Sequence, residues 1–257
     1  MRKRIAATFA GILMLCALPA WAAELAATLH WYRRVELGTP VSGVIAAVPA
    51  RPGDSVKRGQ ALVRLDVRAF RAEVDKAGAV LYQRTQDRAE AKRALDRAQV
   101  LYAQTVLSTR ELDLAKLRFA TADARYRAAR ANLALVRLDL EHSVVRAPYD
   151  GIVLSRAAQV GQAVVSRLQS APLVVLAEAG RMVARGRVKQ DQLARLSLGQ
   201  KVTVKVGTQR YAALIRRLGL EPVSGAGADA VYAVDAVFHP DPATVLRAGQ
   251  AASLELP

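Results

Sequence analysis

Three histidines, one cysteine and a scatter of hydroxyls are the residues of this chain with chemistry to offer, and their spacing decides what that chemistry is. His30, His142 and His239 fall in separate segments, with none of the short intervals by which imidazoles share a metal ion. Cys16 stands alone, which excludes a disulfide framework and a cysteine-based zinc site. Met182 is the single methionine after residue 14, too few for a thioether copper or silver site. The sequence contains no G-x-S-x-G, no phosphate-binding loop, no H-E-x-x-H and no C-x-x-C. Neither enzyme activity, nor a cofactor, nor a resident metal is expected. The chemistry left to such a chain is that of contact, apolar side chains filling grooves and guanidiniums bonding backbone or carboxylate oxygens.

Length and charge bound the partners. At 257 residues and 52% hydrophobic, the chain can form one large domain or two to three small ones with real cores. Its net charge of +16 invites a nucleic-acid reading. However, residues 67–142 interleave fifteen basic with ten acidic side chains, many three or four apart, as on solvated helix faces. There is no basic tail and no aromatic-plus-basic cluster, so nucleic acid is not an expected partner. Residues 1–22 read as a cleaved export signal: Arg2-Lys3-Arg4, an apolar run from Ile5 to Leu18, then Ala20-Trp21-Ala22. Leu13, Met14 and Leu15 before Cys16 do not fit a lipid-attachment signal. The expected address, by way of a cleaved signal peptide, is the periplasm of a two-membrane bacterium.

Texture divides the rest. Leu25 to about Asp66 is β-branched sequence punctuated by Gly and Pro; from Val67 to about His142 Pro vanishes and Ala, Arg, Leu, Gln and Glu dominate; strands return from Arg146. Inside the helical part, Thr105-Val106-Leu107-Ser108-Thr109 is the one β-branched, hydroxyl-rich cluster, and Ser108 to Glu111 has the S-x-x-E form of a capping box. Two antiparallel helices are predicted, at about 68–104 and 109–141, each about 50 Å long at 1.5 Å per residue. Leu112, Ala115, Phe119, Ala122, Tyr126, Ala129, Leu133, Val136 and Leu140 step by threes and fours, a heptad seam. In the first helix Val67, Phe70, Val74, Ala77 and Leu81 hold the pattern, then Arg84 and Arg88 fall on it. Either these arginines snorkel outward or the register shifts.

The two segments flanking the helices share a plan. RPGDSVKRGQALVRLD, residues 51–66, has a turn at Pro52-Gly53, a second at Gly59-Gln60 and a strand through Leu62, Val63 and Leu65. From Val145, VRAPYDGIVLSRAAQVGQAVV repeats it, with Gly151-Ile152-Val153 and Val160-Gly161-Gln162-Ala163-Val164. These runs resemble the two halves of a biotinyl/lipoyl domain. With a helical hairpin between them, the chain resembles the periplasmic adaptor subunits, or membrane fusion proteins of the HlyD-like type, found in tripartite efflux pumps.

That resemblance implies an elongated mixed α and β fold: a split lipoyl/biotinyl-like β-domain with a long antiparallel coiled-coil hairpin inserted, plus a small β-barrel domain. The expected division is 1–22 signal peptide, 23–40 an N-terminal strand joining the barrel, 41–66 the first lipoyl-like half, and 67–142 the hairpin with its tip near 105–108. The second half follows at 143–178 and the barrel at 179–257. Gly43, Gly53, Gly59, Gly151 and Gly161 are expected as the lipoyl-like turn glycines. A lipoyl carrier would place its modified lysine sixteen positions after the equivalent of Gly53, where this chain has Ala69; Lys76 falls on a predicted helix. Arg97, Leu101 and Ser108 have the spacing R-x3-L-x6-S, which resembles the tip motif by which such adaptors engage the outer-membrane channel, and a tip exposing Leu101, Val106 and Leu107 beside Arg97 is the docking surface this implies. The implied partners are that channel, an inner-membrane transporter of RND type, and further copies of the chain in a ring, a hexamer by resemblance. An adaptor for an ATP-driven or secretion-type exporter, and a periplasmic ligand-binding module, are the alternative readings.

Overall fold

The computed structural model describes residues 23–166, 172–241, 244 and 246–256. The expected export signal at 1–22, with Cys16, lies outside the described residues. In chain order the first strands are β1 (Ala23–Trp31), β2 (Arg34–Leu37), β3 (Gly43–Ala47), β4 (Ser55–Val56) and β5 (Ala61–Leu65). Helices α1 (Arg68–Ala103) and α2 (Thr109–His142) follow, then β6 (Val144–Arg146), β7 (Gly151–Arg156), β8 (Ala163–Val164) and β9 (Val174–Glu178). The chain continues with β10 (Met182–Lys189), α3 (Gln190–Leu193), β11 (Lys201–Val206), β12 (Gln209–Ser224), β13 (Val231–Phe238) and β14 (Ala251–Leu256). No helix among the described residues is long and apolar enough to cross a membrane. The elements sort into two compact units, one from Arg33 to Ala179 and one holding β1 with everything from Gly180 on.

In the second of these, six antiparallel strands close a barrel in the order β1-β10-β13-β12-β11-β14. Alternation along β10, β12 and β13 sends Met182, Ile215, Val234 and Phe238 inward beside Leu29 and Leu254, each fully buried large side chain contributing roughly 1.5–3 kcal/mol. One charge sits at the edge of that core. Asp235 is buried and accepts from Arg185 Nε and Nη2 at 2.7 and 2.9 Å, a bidentate pair that raises the pKa of the guanidinium.

The unit Arg33–Ala179 is a sandwich of two four-stranded sheets, β2-β9-β7-β4 and β6-β5-β3-β8. Ile45, Val56, Leu62, Leu65, Val153 and Leu176 fill the space between them. The glycines expected in turns divide into two kinds. Gly53, Gly59 and Gly161 have φ of 92°, 82° and 86°, the left-handed region that a side chain resists. Gly43 and Gly151 are not turn residues; they open β3 and β7. At Gly151 the reason is close approach, since a Cβ there would stand 2.3 Å from the Ala177 carbonyl oxygen of the neighbouring strand.

One device recurs through both units. In Arg51–Asp54, Lys57–Gln60, Gln159–Gln162, Ser197–Gln200 and Arg247–Gln250, a glycine at φ between 82° and 92° precedes an Asp or Gln. That side chain's oxygen accepts the backbone N–H three residues back, at 2.8 to 3.0 Å. Each glycine N–H also donates across to a carbonyl in or next to a strand at 2.8 Å, respectively Val153, Ala147, Ile45, Ile215 and Leu29. The turn is thus satisfied on both sides without a long loop.

The helices form a hairpin out of the sandwich. The α2 seam from Leu112 to Leu140 is buried or half-buried throughout. In α1 the three-and-four stepping continues unbroken through Phe70, Val74, Ala77, Leu81, Arg84, Arg88, Ala91, Leu95 and Ala98, so the register does not shift at the arginines. Arg84 turns along its own helix to Asp87 at 2.9 Å. Arg88 crosses instead: its Nε donates to Asp123 Oδ1 at 2.5 Å, and its guanidinium lies 5.9 and 5.1 Å from the Phe119 and Tyr126 ring centroids. At the base, buried Thr39 donates to the His142 carbonyl at 2.8 Å, and Leu65 N–H donates to the carbonyl of buried Ser143 at 2.8 Å. Asp66 accepts from the Arg68 guanidinium and backbone N–H, which holds its carboxyl down at about 2.

Two outcomes are expected. Gln162→Ala, which deletes one turn acceptor, should lower the stability of the sandwich by about 1 kcal/mol in denaturant unfolding, with Gln162→Glu losing less; equal midpoints for all three would refute the role given to the side chain. Because the folded pKa of Asp66 is depressed, its contribution is fully present above the ordinary 3.8 and lost as pH falls toward about 2. Amide exchange in the first turn of α1 should accelerate over that window in the natural protein and show no such step in Asp66→Asn.

Candidate functional site

The turn between the helices is built by two complementary caps. At the end of α1, Val106 N–H donates to the Leu101 carbonyl at 3.0 Å and Thr105 N–H to the Tyr102 carbonyl at 2.9 Å. This pairing is a Schellman motif, which calls for a left-handed residue, usually glycine, just past the cap. Here that residue is Thr105, with φ of 59°. A β-branched side chain in this region costs on the order of 1–3 kcal/mol, so the tip holds local strain.

At the start of α2 the capping box read from the sequence is complete. Ser108 Oγ accepts from Glu111 N–H at 3.3 Å, and Glu111 Oε2 accepts from Ser108 N–H at 3.0 Å and from its hydroxyl at 2.7 Å. These bonds favour the carboxylate and lower the Glu111 pKa. The Ser108 hydroxyl is therefore committed within the chain.

Leu107 corrects the expectation of an exposed side chain. It is half-buried and packs on Leu95, Ala98 and Leu112, because a residue just before the cap and one in the next turn close on each other as a hydrophobic staple. The apolar residue ahead of S-x-x-E, with Leu112 four residues past the cap, was the sequence signal for this. Val106 is 70% exposed and Leu101 39%. Val100 and Tyr102, not singled out in the sequence, are exposed beside them, so the tip presents four large apolar side chains to solvent. Arg97 is exposed one turn below Leu101. Its Nη2 donates to Glu90 Oε1 at 3.2 Å, a carboxylate that Arg93 also holds at 2.7 Å. The Glu90 carboxyl pKa is lowered by both guanidiniums, Arg93 first. The structure thus gathers Arg97, Leu101 and Val106 at one end of the hairpin and gives Leu107 and Ser108 to holding that end together. Among the described residues, no group of three or more His, Cys, Asp or Glu side chains could hold a metal ion.

Residues 33–178 match the family model of the CzcB-like barrel-sandwich hybrid domain, which covers more than half of the chain. The chain belongs to this family. The chain is 27% identical over 241 residues to the macrolide export protein MacA of Yersinia pestis, covering 87% of this chain and 64% of that one. It is 32% identical over 141 residues to the efflux pump periplasmic linker BepD of Brucella suis, covering 54% of this chain and 35% of BepD. It therefore spans less than two thirds of the length of these relatives. In fold it is similar to the membrane fusion protein Spr0693 of Streptococcus pneumoniae, with a TM-score of 0.70 at 17% identity over 91% of this chain and 98% of that one.

Ser108→Ala removes one half of the capping box and is expected to cost about 1 kcal/mol at the start of α2. Hydrogen exchange at residues 109–112 should speed up by about fivefold, at 1.4 kcal/mol per decade, while exchange in the barrel stays unchanged. Unaltered protection at 109–112 would show that the cap does not set the stability of the tip.

Proposed function

We propose that this protein is a non-catalytic periplasmic adaptor that joins an inner-membrane efflux transporter to an outer-membrane channel, for the export of small molecules. The observation that carries the reading is the hairpin tip: an inserted pair of long helices ends in Leu101, Val106, Val100 and Tyr102 facing solvent, one turn from Arg97. Apolar side chains of that size, exposed together, are suited to the grooves between helices of a partner, and the guanidinium adds a directional bond. Family membership and the export relatives support the same reading.

The finer features belong to this proposal. Residues 1–22 act as an export signal, the split sandwich is lipoyl-like, and the heptad-spaced helices form a coiled coil. Copies associate through their β-domains into a ring, a hexamer, and the transporter is of RND type. Arg97, Leu101 and Val106 make the channel contact while Ser108 and Leu107 fix the shape that presents them. Energy comes from the transporter; the adaptor supplies a sealed path and mechanical coupling.

The test is retrieval of partners from cell envelopes with a tagged chain after mild cross-linking. The natural protein should bring down an outer-membrane channel and an RND transporter. Arg97→Glu should lose the channel about tenfold, the scale of one charged contact of 1.4 kcal/mol or more, while keeping the transporter. Retention of the channel by Arg97→Glu would overturn the tip assignment. Recovery of an ATP-driven transporter in place of an RND one would overturn the transporter class alone.

A further inference from the structure

A cleft of about 670 Å³ opens where the hairpin leaves the sandwich, between the first turns of α1, the last turns of α2 and the start of β3. That volume lies in the range of about 300–1,000 Å³ that takes drug-sized molecules. Val44, Ala69, Phe70 and Val136 give it an apolar lining. Val44 is 48% exposed, and Phe70 and Val136, although they belong to the seam, are only half-buried at this end of the hairpin. The apolar surface is therefore open to an occupant without any opening of the core.

The charged groups that line it are three carboxylates, Asp66, Glu73 and Asp139, against one guanidinium, Arg68. Arg68 is committed to Asp66, its Nε donating to the two carboxylate oxygens at 3.1 and 3.0 Å. Asp66 also accepts the Arg68 backbone N–H, so the N–H end of α1 already has its anion and calls for no other. Glu73 meets Lys76 at 3.6 Å with both side chains more than half exposed, a contact worth little in water. Among the described residues no cation pairs with the exposed Asp139 carboxylate. The cleft thus sets negative charge beside apolar surface and supplies no cation of its own to balance Asp139.

We infer that this cleft binds an amphipathic organic cation, its apolar body against Val44, Phe70 and Val136 and its positive end facing Glu73 and Asp139. A neutral molecule of the same shape would cover the two carboxylates without pairing them, and an anion would be repelled, so the site selects charge and shape together. The remainder of the chain sharpens that choice. At a net charge of +16 it repels cations at long range, so capture of one requires a local site. Because β3, α1 and α2 all contribute, an occupant ties the feet of the hairpin to the sheet. The binding is a property of the chain alone and does not depend on the channel contact, which lies at the other end of the helices.

The test titrates the purified chain into rhodamine 6G, a cationic xanthene dye, and into fluorescein, an anionic dye on the same ring system, with fluorescence anisotropy as the readout. Rhodamine 6G should bind with a Kd of about 10 μM, and fluorescein at least about tenfold more weakly. Glu73→Gln and Asp139→Asn, both at exposed positions, should each weaken the rhodamine 6G complex by about fivefold, and the two together by about twentyfold. Val44→Trp, which fills the cleft from a half-exposed position, should abolish binding, while Asp113→Asn near the tip should leave it unchanged. Bound dye should also slow amide exchange at residues 69–74. No binding of rhodamine 6G, equal or tighter binding of fluorescein, or a Kd that the Glu73→Gln/Asp139→Asn double variant leaves unaltered overturns the inference. A chain that takes no dye and whose oligomers dissociate in the double variant has its cleft filled by a second copy, which overturns it as well.

Discussion

The short antiparallel pairing of β5 with β6 is the constraint on which the helical part of the molecule depends. Ala61 faces Arg146, Val63 faces Val145 and Arg64 faces Val144, so the chain must leave the sandwich and return one strand-spacing away after some eighty residues. Closing a flexible loop of that length would cost roughly 4 kcal/mol from the (3/2)RT ln n dependence alone. Two helices of near-equal length meet the requirement without a floppy loop: 36 residues out, a tight turn, 34 residues back. Thr39 and Ser143 then tie the returning end to the sandwich through backbone carbonyls. The tip can be held away from the sandwich only because its two feet are fixed next to each other.

Across the hairpin, apolar and polar contacts divide the labour. Leu95, Ala98 and Leu112 supply the apolar contact near the tip, and Arg88 supplies a specific one lower down by meeting Asp123 between two aromatic rings. A slip of one heptad would leave that guanidinium opposite a different set of side chains. The interaction is exposed enough that its stabilisation is modest, and its value lies in fixing the register of one helix on the other.

Much of this was legible in the residues. Proline-free, alanine- and arginine-rich sequence, the three-and-four stepping of α2 and the S-x-x-E at Ser108 marked the helices and their turn, because each is a local signal. The pair of β-rich flanks was legible through Gly-Asp and Gly-Gln, although their recurrence as one turn in both units emerged only from the hydrogen bonds. What escaped depended on distant partners. Whether Arg84 and Arg88 pointed out or across required knowing that Asp123 stood level with Arg88. Leu107 is the local exception, for its staple to Leu112 five residues on was signalled by the apolar residue ahead of S-x-x-E and was read as an exposed tip contact. Gly151 looked like a turn, yet its lack of a side chain answers to Ala177 on another strand. Thr39 carried no pattern at all; only the arrival of His142 gives it a role.

The barrel closes by pairing β1 with β14, Ala23 opposite Leu256, and β1 also pairs with β10. Its first strand and its other five therefore bracket the sandwich in the sequence, whose halves in turn bracket the hairpin. Contacts of rising sequence separation form at rising entropic cost, which gives self-assembly an inside-out order: the helices can zip from their tip as soon as both exist, the sandwich must wait for β6 to β9, and the earliest strand of the chain must wait for the latest. During that interval β1 has no partner strand, and the side chains it will turn into the barrel, Leu25, Ala27, Leu29 and Trp31, stay open to water.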